Sequence, residues 1–129
     1  LYGALKQGDG TQWADMARRV SERVSSGQCQ QGILFCWTGT GVSIAANKAP
    51  GIRAALCCDA ETARGARRYN DANVLCMSLR LTSSPLAREI LDAWLSTDKV
   101  DEDERESIQL VIKMDQERIG PPSAMAQRP

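Results

Sequence analysis

Histidine is absent from all 129 residues. That gap excludes His-ligated zinc, Ser-His-Asp triads and Cys-His pairs, each of which needs an imidazole. Any acid or base in this chain is therefore another group. The 16 Lys and Arg cancel the 16 Asp and Glu, which argues against broad attraction to nucleic acid or an anionic membrane and leaves room only for a local basic patch. No apolar run approaches the roughly 18 residues of a membrane span, and no charged-then-apolar leader opens the chain. The five cysteines, Cys29, Cys36, Cys57, Cys58 and Cys76, show no C-x-x-C spacing. An odd count in a chain with only 5% aromatics fits reduced thiols in the cytoplasm. Adjacent Cys57 and Cys58 cannot readily meet the geometry of a disulfide. The expectation is a soluble, cytoplasmic protein with no nucleic-acid or membrane partner, no metal and no cofactor.

What is present suits one domain. A mass of 14.1 kDa corresponds to burial of about two-thirds of the unfolded surface, enough for a sizeable core. The chain begins at Leu1 rather than Met, which fits a piece of a longer product. Trp13, Met16, Ala17, Val20 and Val24 recur at helical spacing, and Ser25-Ser26-Gly27 stops that helix. Three short apolar runs, Gly32–Cys36, Ile52–Cys57 and Asn73–Met77, read as buried strands, the first of them on both faces. Between them, Val42–Ala49 and Ala60–Tyr69 read as helices, the second carrying Arg64, Arg67 and Arg68. Ser84-Pro85 reads as a cap and first position for a helix whose apolar face is Leu86, Ile90, Leu91, Trp94 and Leu95. The acids of Asp101–Glu106 suit the start of a last helix continued by Ile108, Val111 and Ile112. Gly120, Pro121 and Pro122 close it. Residues 1–119 thus form the expected domain, and 120–129 a mobile tail.

Alternation of strand and helix predicts an α/β fold, a three-layer sandwich around a mostly parallel sheet. Ligands of such sheets bind beyond the carboxyl ends of the strands. Those ends are Cys36–Gly41, Cys58–Glu61 and Ser78–Thr82. The first of them, CWTGTG, carries two glycines between a strand and a helix, where backbone N–H groups can cradle an anion. A thiol beside such groups, as Cys36 is, has its thiolate favoured. The loop lacks both dinucleotide spacing and the P-loop lysine, which weighs against a nucleotide or flavin binder.

The stretch from Cys36 to Leu81 resembles the family of ribose-5-phosphate isomerase B and the galactose-6-phosphate isomerase subunits, whose pattern is close to C-G-T-G-x-G-x-S-I-A-A-N-K, then G-I-R-A, then N-D-x-N-V-L. The match covers roughly Trp13 to Leu95. It implies a Rossmann-like fold, a homodimer or dimer of dimers with sites between subunits, and aldose-ketose isomerisation of a sugar or sugar phosphate through a cis-enediolate. By motif, Cys36 matches the family's base and Thr38 the hydroxyl that assists proton handling. The backbone of Gly39, Thr40, Gly41 and Ser43 matches the oxyanion cradle, and Asn70 an Asn that contacts substrate hydroxyls.

The departures are specific. Trp37 stands where the pattern has Gly, and either narrows the pocket, offers a stacking face or merely changes packing. Tyr69 precedes N-D-A-N where relatives carry a ring-opening His, and a phenol with its usual pKa of about 10 is a poor substitute near neutral pH. Cys58 stands at another position where some relatives have His. Asp103 and Ser107 fall where relatives place phosphate-binding arginines, with Arg105 one residue out of register. The family's opening strand-helix-strand, with its Asp-His pair, has no counterpart in this sequence. These gaps support a second reading, a half-equipped subunit that binds sugar or completes a heteromer.

Overall fold

The computed structural model describes residues 1–3 and 10–118. Its elements alternate as α1 (Trp13–Ser25), β1 (Gly32–Cys36), α2 (Thr40–Ala46), β2 (Ala54–Leu56), α3 (Ala60–Asn70), β3 (Val74–Ser78), α4 (Ser84–Leu95), a 3-10 turn (Glu102–Glu104) and α5 (Arg105–Glu117). The three strands are parallel in the order β1-β3-β2, with Cys36 opposite Ser78 and Leu56 opposite Cys76. Helices cover both faces of the sheet. Leu34, Val74 and Cys76 pack with Ala17 and Val24 of α1 and Val42 and Ala46 of α2. Leu75 and Met77 pack on the opposite face with Ala63 and Ala66 of α3 and Ile90, Ala93 and Trp94 of α4. This is the three-layer α/β/α arrangement that the alternation predicts.

β3 is central and buried throughout, as its apolar run implies. β1 departs from the expectation. Leu34 is buried, but Ile33 and Phe35 are 41% and 43% exposed, because β1 is an edge strand of the described sheet and α3 and α4 cover β3 and β2 on that face. β2 is also shorter than Ile52–Cys57, at three residues. Arg53 N–H donates to the Asn73 side chain at 2.8 Å instead of a strand neighbour, and the Asn47 side chain takes the N–H of Ala54 at 2.8 Å.

α2 begins at Thr40, two residues before the expected Val42, because Gly39 caps it in the left-handed region with φ +78°. The cap of α4 is Ser83 rather than Ser84. Its hydroxyl accepts from the Leu86 N–H at 3.3 Å, which places Ser84 and Pro85 inside the first turn. The acidic run forms a 3-10 turn before α5 instead of the start of the α-helix. The closing Gly120-Pro121-Pro122 and the tail lie outside the described residues.

Candidate active site

The topology itself selects a place. The chain leaves β1 toward the α1/α2 face and leaves β3 toward the α3/α4 face. Connections departing in opposite directions from neighbouring strands open a crevice beyond their carboxyl ends. Two loops meet there. The loop after β1 carries Cys36, Trp37, Thr38 and Gly39, and the loop after β3 carries Ser78 to Thr82. They are stitched by Leu79 N–H to the Cys36 carbonyl at 3.0 Å and by Arg80 N–H to the Trp37 carbonyl at 3.0 Å. The Ser78 hydroxyl donates to the same Trp37 carbonyl at 3.0 Å and accepts from Leu81 N–H at 3.2 Å.

Cys36, the last residue of β1, is partly exposed. Its Sγ accepts the Gly39 N–H across 3.2 Å. It lines an open groove of about 930 Å3 that runs between α1 and the edge of β1, together with Trp13, Met16, Phe35 and Trp37. Gly39 is buried against the sheet. A Cβ built there would lie 2.5 Å from Leu56 Cδ1 and 3.0 Å from the Met77 backbone carbon, so the turn that brings its N–H to the sulfur admits only glycine. At Gly41 a Cβ would meet the Trp13 ring at 3.1 Å, so the Trp13 indole packs on the first turn of α2. The Thr38 and Thr40 hydroxyls are paired at 2.8 Å on the exposed side.

The predicted cradle is narrower than Gly39 to Ser43. Gly39 N–H is held by the sulfur, and Ser43 N–H by the Gly39 carbonyl at 3.3 Å. The Ser43 hydroxyl reaches the Cys76 thiol. The N–H groups of Thr40 and Gly41, in the first turn of α2, are left without intrahelical acceptors.

Two other thiols, Cys57 and Cys76, are buried. Burial pushes Cys57 and Cys76 up to about 12, with neighbouring sulfurs adding to the effect in both. Those two remain protonated near neutrality. Cys29 and Cys58 are exposed, and Cys58 precedes Asp59, whose carboxyl caps α3 by accepting Thr62 N–H at 2.6 Å. That bond holds Asp59 below the ordinary carboxylate range.

Tyr69 and Asn70 do not join this cluster within one chain. α3 starts at the carboxyl end of β2 and runs back to the start of β3, so its last residues lie at the opposite end of the sheet from Cys36. They line a separate apolar groove of about 750 Å3 with Ile52, Ile108 and Val111. Two arginines of α3 are structural there: Arg67 donates to the Thr97 and Ala72 carbonyls, and Arg68 forms a two-pronged pair with Asp101 at 3.0 Å. Arg105 is engaged with Glu102 at 2.7 Å.

Arg80 is the residue that motif reading passed over. It sits in the loop after β3, hydrogen-bonded through its backbone to Trp37, and its guanidinium has no carboxylate partner among the described residues. A lone arginine in a loop carries little sequence signal. The strand-end rule pointed to its segment, Ser78–Thr82, but not to the side chain.

With that geometry in place, comparison with known proteins is decisive. The family model described as Ribose/Galactose Isomerase matches residues 2–111. The chain belongs to the ribose/galactose isomerase family. Within it, the chain is 37% identical over 108 residues to ribose-5-phosphate isomerase B of Escherichia coli, covering 84% of this chain and 72% of that protein. It is 48% identical over 86 residues to YwlF of Bacillus subtilis, covering 67% of this chain and 58% of that protein. A solved structure of Clostridium thermocellum ribose-5-phosphate isomerase B superposes with TM-score 0.82 at 37% identity, covering 88% of this chain and 77% of that one. The chain thus spans 58% of YwlF, and its likeness to the isomerase family is to that extent a likeness to part of each relative.

Proposed function

We propose that this protein is an aldose-ketose isomerase acting on a sugar phosphate, with Cys36 as the base. Cys36, as thiolate, takes the proton from the carbon beside the carbonyl. The C–H electron pair forms the enediolate double bond, and the negative charge passes to oxygen. The same sulfur returns the proton to the neighbouring carbon, while a hydroxyl proton moves between the two oxygens by way of Thr38. No oxidant or cofactor enters the balance. Developing charge on oxygen is met by the N–H groups of Thr40 and Gly41, which are fixed before reaction and cost no reorganisation. Arg80 provides a cation for the phosphate.

The observation that carries this reading is the partly exposed Cys36 sulfur at the carboxyl end of β1, bonded by Gly39 N–H and opening on the groove between α1 and the edge of β1. A cysteine that served only as core packing would resemble Cys57 or Cys76, both fully buried. In this reading Asn70 and Tyr69 serve the Cys36 loop of a second copy, since their own loop lies at the far end of the sheet; the working unit is a homodimer or dimer of dimers in the cytoplasm. The test is interconversion of aldose and ketose phosphates of four to six carbons, followed by NMR, with the oligomer measured by sedimentation in the same sample. Interconversion by a dimer is expected. Inertness toward the whole panel contradicts the proposal.

One observation favours a second reading. The chain has no His, and Arg105, the cation nearest the family's phosphate-binding register, is tied to Glu102. A subunit that needs an unlike partner would show activity only after mixing with it. Turnover by the pure chain removes that reading.

A further inference from the structure

The described residues bury two polar side chains, Ser21 and Ser78, at 0% and 1% exposure. Their hydroxyls differ in use. Ser21 Oγ, on the buried side of α1, has no hydrogen-bond partner among the described residues. Ser78 Oγ is used twice, donating to the Trp37 carbonyl at 3.0 Å and accepting from the Leu81 N–H at 3.2 Å. Ser78 ends β3, whose other residues, Val74 to Met77, are apolar and equally buried. It stands opposite Cys36 in the sheet register. A hydroxyl is costly at the end of such a strand unless it is hydrogen-bonded, and both of its partners lie in the loops that carry the proposed chemistry.

Those two loops depend on the hydroxyl unequally. Without it, the backbone of Cys36 and Trp37 still holds Leu79 N–H on the Cys36 carbonyl and Arg80 N–H on the Trp37 carbonyl, each at 3.0 Å. The turn after β3 has less support. Two hydrogen bonds close it, both onto Ser78: Thr82 N–H to the Ser78 carbonyl at 3.0 Å and Leu81 N–H to the hydroxyl. Leu79 and Leu81 are exposed, so side-chain packing does not pin the turn on either side of Arg80. We infer that Ser78 is a positioning residue that sets the direction of Arg80, and through it the binding of the substrate's phosphate. At 1% exposure the hydroxyl is too deep to touch a ligand itself. A cation held in place before binding loses less freedom when the phosphate arrives. This role rests on the isomerase reading, in which Arg80 holds the phosphate, but it concerns binding, which can be measured without turnover.

The probe is ribitol 5-phosphate, which has the phosphate and hydroxyls of a sugar phosphate but no carbonyl to isomerise. Calorimetry on the intact protein compares the wild type, Ser78→Ala, Arg80→Ala and the double variant. Ser78→Ala is expected to weaken binding by about 3- to 10-fold, the loss typical of one hydrogen bond. Ser78→Cys, close to serine in size but a poor hydrogen-bonding group, should behave in the same way without leaving a gap. Ser78→Thr keeps the hydroxyl and should bind within about twofold of the wild type. The cycle isolates the route of the effect: because Ser78 acts through Arg80, the double variant should bind no more weakly than Arg80→Ala alone. A merely structural serine would add its own loss in both backgrounds. With a sugar phosphate that turns over, the Ser78→Ala loss should fall on KM, with kcat little changed. Unchanged binding in both Ser78→Ala and Ser78→Cys, a loss that persists undiminished without Arg80, or no binding of the probe by the wild type would overturn the inference. Catalysis is scored separately. An enzyme that isomerises sugar phosphates but binds the probe independently of Ser78 defeats the positioning role alone, whereas binding that depends on Ser78 and Arg80 without turnover of any sugar defeats the isomerase reading alone.

Discussion

The N–H of Gly39 donates to the sulfur of Cys36 across 3.2 Å, and the same Gly39 leaves no room for a Cβ between Leu56 and the β3 backbone. One residue thus couples the packing of α2 on the sheet to the placement of a donor on the thiol. Its left-handed φ of +78° and the 2.5 Å that would separate an added Cβ from Leu56 Cδ1 act together.

Substitution should separate these two demands. Gly39→Ala must tolerate both the unfavourable φ and the steric clash, and is expected to lose about 2–4 kcal/mol in urea unfolding. Gly51 is the control, with φ +77° but nothing within 4 Å of a Cβ. Gly51→Ala should lose only about 1 kcal/mol. Equal losses at both positions would show that packing at Gly39 is unimportant.

The buried thiols make a prediction about pH. Cys57 and Cys76 stand near 12 in the fold against 9.0 when unperturbed, so the native state holds these protons more tightly than the unfolded state. Their stabilising contribution is complete below about pH 9 and is lost as pH rises from 9 toward 12. Each thiol should steepen that loss by up to about 1.4 kcal/mol per pH unit. Urea midpoints measured from pH 7 to 10.5 should fall above 9, and less so in Cys57→Ala, which removes one of the two titrating groups. A flat profile would contradict the burial.

Alkylation at pH 8 gives an independent reading of the same contrast. Cys29, Cys36 and Cys58 are open to reagent and should label in the native protein, whereas Cys57 and Cys76 should label only after unfolding. Mass spectrometry of the peptides checks this directly. Native labelling of Cys76 at the rate of Cys36 would place it outside the core.

Arg80 should act on binding rather than on chemistry. A charged contact to phosphate is worth roughly 1.5–3 kcal/mol, so Arg80→Ala is expected to raise KM for a sugar phosphate by about 10- to 100-fold with kcat little changed. The unphosphorylated sugar should be indifferent to the substitution. A loss confined to kcat would assign Arg80 a different role.

Much of the architecture was legible from residue patterns because β3 and the helices state their burial in their own sequence. Val74–Ser78 is apolar without interruption and is buried without interruption. Gly32–Cys36 looks the same in sequence, yet half of its side chains are exposed, since a run of apolar residues does not reveal whether a strand has neighbours on both sides. Ser83-Ser84-Pro85 contains two competent caps, and one hydrogen bond to Leu86 decides between them. At the site, the local cluster of Cys36, Trp37, Thr38 and Gly39 follows from one contiguous loop. The separation of Tyr69 and Asn70 from it is a property of the direction in which α3 runs, which motif spacing does not record. Arg80 enters through pairing between two loops that are 41 residues apart from Trp37 to Ser78, beyond the reach of any local pattern.

The most direct test of the central claim is deuterium exchange at the carbon beside the carbonyl. Wild-type protein and Cys36→Ala are incubated in deuterated water with an aldose phosphate that the wild type interconverts, and label at that carbon is followed by NMR. Incorporation by the wild type is expected, with a rate lower by about 100- to 10,000-fold in a folded Cys36→Ala. Exchange by Cys36→Ala at the wild-type rate would show that the proton is moved by another group.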